Sequence, residues 1–404
     1  MLSVNVGSSS LKLAWFEADA SSERRVASAS VSDVGPDARL VLHAVDDAGE
    51  RRELCSQKLV SGEDAGRDVH EAGGVTHHAA QALTRVLDVA ASHGLGAPDA
   101  AGHRIVHGGP DHVAPQRVTD ALVAELEALE PFAPLHLPAE IAVVRALARR
   151  APELPQVVCF DTAFHQRMPA AARRLPLPRA LWDKGVRRYG FHGLSYEYVL
   201  GALPDGARGR IVIAHLGNGA SLAAVRDGLP IDTTMGLTPT GGLMMGTRSG
   251  DLDPGVLFHL ARVEGWDVER LQRLVEAESG LLGVSGESSD VRTLLASRAT
   301  SAAADEAIEL FCWIARRHVG AMAASLGGVD QLVFTGGIGE HAAEIRAGIC
   351  TGLEHLGVRL DPERNARNAA VVSADASPCT VRVVATDEER VIARHTRARV
   401  AGGV

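Results

Sequence analysis

The sequence predicts a mixed α/β protein built from two related domains facing each other across a cleft. Three observations lead there. The chain has 404 residues, more than one ordinary hydrophobic core organises. A strand, glycine turn and second strand open each half: "VNVGSSSLK" at 4–12 and "RIVIAHLGNGASLAAVRDG" at 210–228. Between such units, apolar residues recur at helical spacing.

Taken in order, residues 2–6 and 11–16 read as two short strands joined by a Gly-Ser turn. Residues 18–75 are polar and uneven, with strand-like pieces such as "RLVLHAV", and "SGEDAGRDVHEAGG" reads as an exposed loop. Residues 76–94 have helical periodicity. "HRIVHGG" (103–109) is a strand running into a glycine turn. Thr119 or Asp120 is positioned to cap a helix carrying Leu122, Leu126 and Leu129 on one face. "QVVCFDTAF" (156–164) is a buried strand ending on Asp161. "LVFTGGIGE" (332–340) is an apolar strand entering a glycine turn. A helix follows, with Ile345, Ile349, Leu353 and Leu356 on one side and Gly357 as its stop. The expected domains are 1–155 together with 391–404, and 156–390, the second binding nucleotide.

Composition narrows the function. Hydrophobic residues make up 46% and charged residues 23%, a mixture suited to a soluble globular chain. The net charge of −9 argues against nucleic acid or an anionic membrane as partner, because both reward a basic face. The Arg-rich run "RRLPLPRALWDKGVRR" reads as a solvated face. No apolar run approaches the roughly 20 residues that cross a bilayer, and no signal-peptide pattern is visible. Cys55, Cys159, Cys312, Cys350 and Cys379 form no CxxC pair, which fits buried thiols in a reducing, cytoplasmic setting. The chain has only three lysines, Lys12, Lys58 and Lys184, and one of them stands in the opening motif.

Glycine lets several backbone N–H groups approach one anion, and Ser or Thr adds hydroxyl donors. "GSSSLK", "GNGAS" and "GGIGE" all fit that description. Each alone is equally well a tight turn; three together point to phosphate. No GxxxxGK[ST] is present, and "GGIGEH" lacks the last glycine of GxGxxG. A third arrangement, the actin-like ATPase and sugar kinase fold, grips nucleotide between duplicated domains with hairpin turns, and the pattern fits it. The opening hairpin would then serve the terminal phosphates.

Charged candidates cluster at strand ends and loops. Arg104 ends "HRIV", Asp161 ends "VVCF", His192 lies in "YGFHG", and "GTRSGDLDPG" (246–255) carries Arg248, Asp251 and Asp253. Each has a structural alternative: turn-forming aspartates, arginines in ion pairs, a satisfied core histidine. A zinc site from His136, His192 and His215 lacks any supporting spacing.

Together these motifs resemble the acetate kinase family, within the acetate and propionate kinase group. The resemblance runs through "VNVGSSSLK", "HRIVHGG", "PFAPLHLPAE", "VVCFDTAFHQRMP", "RRYGFHGLSYEYV" and "HLGNGASLAAV". It continues through "DTTMGLTP", "MGTRSGDLDPG", "SGLLGVSGESSDVR", "FTGGIGEHAAEIR" and "TDEERVIA", covering nearly the whole chain and matching loosely only at about 18–95. It implies a homodimer of the actin-like fold that uses ATP and Mg²⁺, for which Mn²⁺ can substitute, to phosphorylate acetate or propionate, yielding ADP. By position it implies Arg104, Asp161, His192 and Arg248 as the reaction centre. Val106, Leu135, His136, Phe191 and Pro239 fall on the acid pocket. Asn5 and Glu388 fall on the metal. Ser10, Lys12, His215, Leu216, Gly217, Asn218 and Gly219 fall along the phosphates. Asp290, Val291, Arg292, Gly337, Ile338, Gly339, Glu340 and His341 border the nucleoside.

The chemistry suits these residue types. A carboxylic acid is already ionised at neutral pH and needs no general base. The obstacle is an anion approaching a polyanion, so positive charge and positioning must carry catalysis. Arg104 is assigned to the carboxylate, Arg248 to carboxylate and transferring phosphoryl oxygens, and His192 to an equatorial phosphoryl oxygen. Asp161 is expected to orient an arginine or a metal-bound water.

The sequence also departs from the family. "GIGEH" has His341 for Asn, leaving open ATP, GTP or another donor. "HGLSY" replaces HGTSH, bringing Leu194 and Tyr196 near His192. "HLPAE" replaces a form with two Asn, bringing Leu137 and Glu140 beside the acid pocket. "TDEE" has Asp387 for Asn. A sugar kinase would need a carboxylate base and a polar pocket, and a switch ATPase would need a large partner-binding segment. Neither is visible.

Overall fold

A computed structural model describes the chain except residues 8–9, 20–21, 33, 36–37, 60–71, 205 and 403–404. Ser8, Ser9 and most of the loop expected at 61–74 therefore lie outside the described residues. The chain divides into two compact units, Met1–Ala163 with Asp387–Val404, and Phe164–Thr386.

The first unit is organised by a sheet of eight strands among the described residues. They are β1 (Leu2–Val6), β2 (Ser10–Ala18), β3 (Glu23–Ser32), β4 (Arg39–Val45), β5 (Arg51–Lys58), β6 (Ala101–Ile105), β7 (Gln116–Arg117) and β8 (Gln156–Phe160). Their order is β5-β4-β3-β2-β1-β6-β8-β7. β1 to β5 form an antiparallel meander, and β6 and β8 continue the sheet parallel to β1. Every residue of β1 and of β8 is buried, the signature of central strands covered on both faces. Pairing with β6 holds β8 in this sheet, which moves the unit boundary past 155/156.

The helices Ala72–Ser92 and Leu137–Arg150 pack against each other and on this sheet. Leu83, Val86, Val143 and Leu147 from these helices join Leu2, Val4, Leu11 and Leu13 in one core. Each such fully buried aliphatic side chain contributes on the order of 1.5–3 kcal/mol. The C-terminal helix Glu388–Ala401 lies against β1, β6 and β8. It comes so close that a Cβ on Gly102 would stand 2.0 Å from Thr396 Oγ1. Thr119 caps the helix Asp120–Ala128, its hydroxyl accepting the Leu122 N–H at 3.1 Å.

The second unit repeats the plan. β9 (Arg210–Leu216), β10 (Ala220–Arg226) and β11 (Leu229–Thr233) form an antiparallel meander, and β12 (Gln331–Thr335) and β13 (Thr380–Val383) extend it parallel to β9. The order β11-β10-β9-β12-β13 matches β3-β2-β1-β6-β8 of the first unit. Ile211, Ile213, Ala223, Val225 and Val333 pack with Tyr196 and Val199 of the helix Gly193–Ala202.

Two local expectations are corrected. The stretch after β12 is not an open turn but a short helix, Gly336–His341. The following helix, Ala343–Cys350, ends before Leu353, because Gly352 turns the backbone at φ 84°. Gly357 instead terminates a separate 3₁₀ turn, Glu354–Leu356.

Candidate active site

In the first unit the site is built around Arg104, which stands on β6 next to β1 and β8. Its Nε and Nη2 both donate to Asp161 Oδ2, at 2.9 and 2.6 Å, and its Nη1 donates to the Val6 carbonyl at 3.2 Å. Val6 is the last residue of β1, so this guanidinium is tied to the opening hairpin turn. A second carboxylate, Glu140, lies with Oε1 3.6 Å from Nη1. Its Oε2 accepts the Val106 N–H at 2.9 Å.

Both carboxylates are almost completely buried. Burial opposes the Arg104 charge, and Asp161, Glu140 and Glu388 outweigh it, so its pKa lies above the usual value. Burial pushes the Glu140 carboxyl up to about 8, against the pull of Arg104 and the Val106 N–H. Val106 and His136 are buried close to this cluster in sequence and structure, whereas Leu135 is 46% exposed. His136 immediately precedes the helix that carries Glu140.

The hairpin itself sets Asn5 opposite Lys12 in register. Asn5 Nδ2 donates to Glu388 Oε2 at 2.8 Å, joining β1 to the first turn of the C-terminal helix. Lys12 is exposed and Ser10 half-buried. Asp387, the departure from Asn, pairs with Arg25 and caps its helix by accepting the Arg390 N–H at 3.1 Å.

In the second unit six candidates meet around the β9–β10 turn: His192, His215, Gly217, Asn218, Gly219 and Arg248. His192 occupies the left-handed region at φ 58°, rare for a residue with a Cβ, where it precedes the helix Gly193–Ala202. Its Nδ1 is hydrogen-bonded to Ser221 Oγ at 2.8 Å, and Ser221 Oγ to the buried Tyr196 hydroxyl at 2.5 Å. Its ring stacks on His215, centroids 4.2 Å apart, and His215 Nδ1 bonds Ser195 Oγ at 2.8 Å. A Cβ on Gly219 would stand 3.3 Å from His192 Nε2 and 3.5 Å from Arg248 Nη1, so both groups converge on the turn.

Arg248 Nη1 donates to the Pro239 carbonyl at 3.1 Å and approaches Met245 Sδ at 3.8 Å. Its loop is closed by Met245 N to Arg248 O at 3.1 Å and by Gly246 N to Asn218 O at 3.1 Å, tying it to the turn 217–219. Pro239 and Phe191 are buried. The Phe191 carbonyl bonds His165 Nε2 at 2.9 Å. Burial pushes that imidazole down to about 4, so it stays neutral and donates from Nε2.

The nucleoside candidates fall in two places. Asp290 caps the helix Val291–Ser297 and pairs with exposed Arg292 at 2.7 Å. Gly337, Ile338, Gly339, Glu340 and His341 form the short helix after β12. There Glu340 Oε1 accepts the N–H groups of Gly336 and Thr386 at 3.0 and 3.1 Å, and His341 is 78% exposed. Asp251 and Asp253 take the turn-forming alternative: they accept the Gly242 and Gly255 N–H groups at 2.7 and 3.0 Å. Among the described residues, no cluster of three His, Cys, Asp or Glu side chains is arranged to hold a metal.

A model of the Acetokinase family matches residues 1–394. The chain belongs to the acetokinase family. It is 44% identical over 413 residues to an acetate kinase of Rhodopseudomonas palustris (strain ATCC BAA-98 / CGA009), covering 100% of this chain and 99% of that protein. It is 42% identical over 410 residues to an acetate kinase of Methylocella silvestris, covering 98% and 97%. Among solved structures it resembles Porphyromonas gingivalis acetate kinase (TM-score 0.81, 37% identity, 98% of each chain covered). It also resembles a propionate kinase from Francisella tularensis (TM-score 0.86, 32% identity, 98% of each chain). The two repeated sheets are those of the actin-like ATPase fold that this family of kinases uses.

Sequence reasoning missed several members of these clusters. Ser221 and Ser195 went unnoticed as partners of the two histidines. Arg346 is fully buried and binds the Gly339 and Glu340 carbonyls at 2.8 and 3.0 Å, holding the short helix after β12. The burial of Glu140 is legible in its period: Leu137, Glu140, Val144 and Leu147 share one helical face, so an acidic residue there must be buried.

Proposed function

We propose that the chain catalyses reversible transfer of the ATP γ-phosphoryl group to acetate, giving acetyl phosphate and ADP, by direct in-line attack of the carboxylate. The observation that carries this reading is the arginine at the turn of each unit's opening hairpin. Arg104 is bonded to the residue before one turn, and Arg248 adjoins the glycine of the other, beside His192.

Arg104, oriented by Asp161, would hold the acceptor carboxylate and offset its repulsion from the phosphates. Arg248 would bind carboxylate and phosphoryl oxygens. His192 Nε2 would donate to an equatorial oxygen as charge accumulates there, its ring fixed by Ser221 and by stacking on His215. Ser10, Lys12 and residues 215–219 would follow the phosphates; residues 290–292 and 337–341 would border the nucleoside. Val106, Leu135, His136, Phe191 and Pro239 would surround the acid. No group acts as a base, because the acceptor is already an anion.

Asn5 and Glu388 fit Mg²⁺: each carries a hard oxygen, the two side chains are held together by Asn5 Nδ2 donating to Glu388 Oε2 at 2.8 Å, and Mg²⁺ uses few protein ligands. When bound with ATP, Mg²⁺ supplies neutralising charge for the β- and γ-phosphates. A second acid is supported by the propionate kinase neighbour. An apolar pocket separates acids differing by one methylene by only about 1–3 kcal/mol.

A homodimer accounts for a dense set of exposed apolar residues in the second unit: Leu252, Val256, Phe258, Val263, Val268 and Trp313. The reducing cytoplasm suits five cysteines that are all free thiols, and among the described residues no helix is long and apolar enough to cross a membrane.

The test is acyl hydroxamate formation from formate, acetate, propionate and butyrate with Mg·ATP. Turnover peaking at acetate, and absent without the acid, supports the reading. A peak at propionate selects the second acid, and no hydroxamate from any acid overturns carboxylate phosphorylation with ATP as donor.

A further inference from the structure

Glu140 is a buried carboxyl with no evident reason to be acidic. It sits in the first turn of an otherwise apolar helical face, with its side chain 1% exposed. One oxygen accepts the Val106 N–H; the other accepts no hydrogen bond and lies 3.6 Å from Arg104 Nη1. Arg104 gives Nε and Nη2 to Asp161, so Nη1 is the edge it turns toward Val6 and Glu140. An acceptor carboxylate bound by Arg104 in bidentate fashion would draw on the N–H groups left over, one on Nη1 and one on Nη2, so Glu140 competes for half of that fork.

Building on the carboxylate-kinase reading, we propose that Glu140 is a positioning residue that tunes acceptor affinity. Uncharged, it braces Val106 and leaves Arg104 Nη1 to the substrate carboxylate. Ionised, it competes for that edge and repels the acid.

The ionisable groups acting on it are Arg104 from β6 and Asp161 from the end of β8. The helices packed on its own also carry His77, His78, Arg85 and Asp88, and Asp120, Glu125 and Glu127; of these Asp88 pairs with Arg150 and Glu127 with Arg145. Burial places its titration near 8, above the neutral range. The sign follows: acid binding is strong below that point and weakens as pH rises through it.

Acetate stays fully ionised from pH 7.5 to 9.5, and a phosphate with a second pKa of about 6 is almost entirely so, so neither titrates in the window. The experiment measures KM for acetate and for Mg·ATP across that range in the wild type and in Glu140→Gln. In the wild type the acetate KM rises about tenfold above pH 8 while the ATP KM does not follow it. In Glu140→Gln the rise is lost. Parallel acetate profiles in the two proteins overturn the role of Glu140 while leaving the reaction intact. A flat wild-type profile overturns it alone, so the test survives if Glu140→Gln and the smaller Glu140→Asn both fail to fold. No turnover with any acid at any pH overturns the reaction and the inference with it.

Discussion

The two units open on the same hairpin but hold its arginine by opposite means. In the first, Arg104 is gripped by the buried Asp161 carboxylate at 2.6 Å, with the buried Glu140 carboxyl 3.6 Å away. In the second, Arg248 is set by backbone: its Nη1 meets the Pro239 carbonyl, and its loop is pinned by main-chain bonds to residues 218, 245, 275, 279 and 282. One arginine is therefore positioned by charge and the other by sterics. The first should respond to pH and to isosteric neutralisation. The second should respond to a single added methyl group.

The largest effect tests both at once. Arg104→Ala and Arg248→Ala each lose a guanidinium proposed to stand where the acid's charge meets the phosphates'. Each should lower kcat/KM for the acid by a factor of about 10² to 10³ or more, several kcal/mol of transition-state stabilisation. Steady-state hydroxamate kinetics measure it, and near-wild-type turnover in either variant would remove that arginine from the mechanism.

Next comes the steric half. Gly280 has φ 64°, and a Cβ there would stand 2.2 Å from the Met245 carbonyl and 2.8 Å from that of Arg248. Both are backbone atoms of the loop presenting Arg248, so neither can yield cheaply. Gly280→Ala should cost about 3 kcal/mol or more and reduce kcat. Gly286 has the same φ with nothing within 4 Å. Gly286→Ala should cost only about 1–2 kcal/mol, the left-handed penalty alone. Denaturant unfolding of the pair separates clash from conformation, and equal losses would refute the steric account.

The electrostatic half has its own probe. Asp161→Asn keeps the shape but removes a charge that raises the Glu140 pKa. Turnover should fall by about tenfold as Arg104 loses a charge-assisted partner. The pH at which acetate binding weakens should also move downward, because Glu140 then ionises more readily. An upward or unchanged inflection would show that the two carboxyls do not share Arg104.

This asymmetry explains what the sequence disclosed. The hairpins were legible because a strand–glycine–strand pattern is local, and Thr119 announced its helix for the same reason. The residues proposed for the reaction centre were named through a resemblance spread over the whole chain. What stayed hidden depends on contacts far apart in sequence: β8 pairing into the first sheet, Ser221 bonding to a histidine at 192, Arg346 filled by carbonyls from 339 and 340. No local period encodes such partners. Gly352 shows the reverse limit, since the apolar spacing from Ile345 to Leu356 continues through a residue that ends the helix. His192 is a further case: "FHG" carries no sign that the histidine adopts a left-handed backbone.

The smallest effect concerns Tyr196, where this chain has a phenol in place of the histidine usual in the family. Its hydroxyl is buried and bonded at 2.5 Å to Ser221 Oγ, which bonds His192 Nδ1 at 2.8 Å. A phenol donating to Ser221 turns the serine hydroxyl toward Nδ1, which leaves the proton of a neutral imidazole on Nε2, the atom facing Gly219 and Arg248. Tyr196→Phe removes that bias but leaves the packing of the ring against His165 and Phe164. The net loss of one such hydrogen bond is about 0.5–1.5 kcal/mol, so kcat should fall by roughly two- to tenfold. KM for acetate should hold, because Arg104 in the first unit is untouched. Ser221→Ala, which removes the next link as well, should lose more than Tyr196→Phe. A larger loss in Tyr196→Phe than in Ser221→Ala would mean that the phenol acts on the site by another route than through His192.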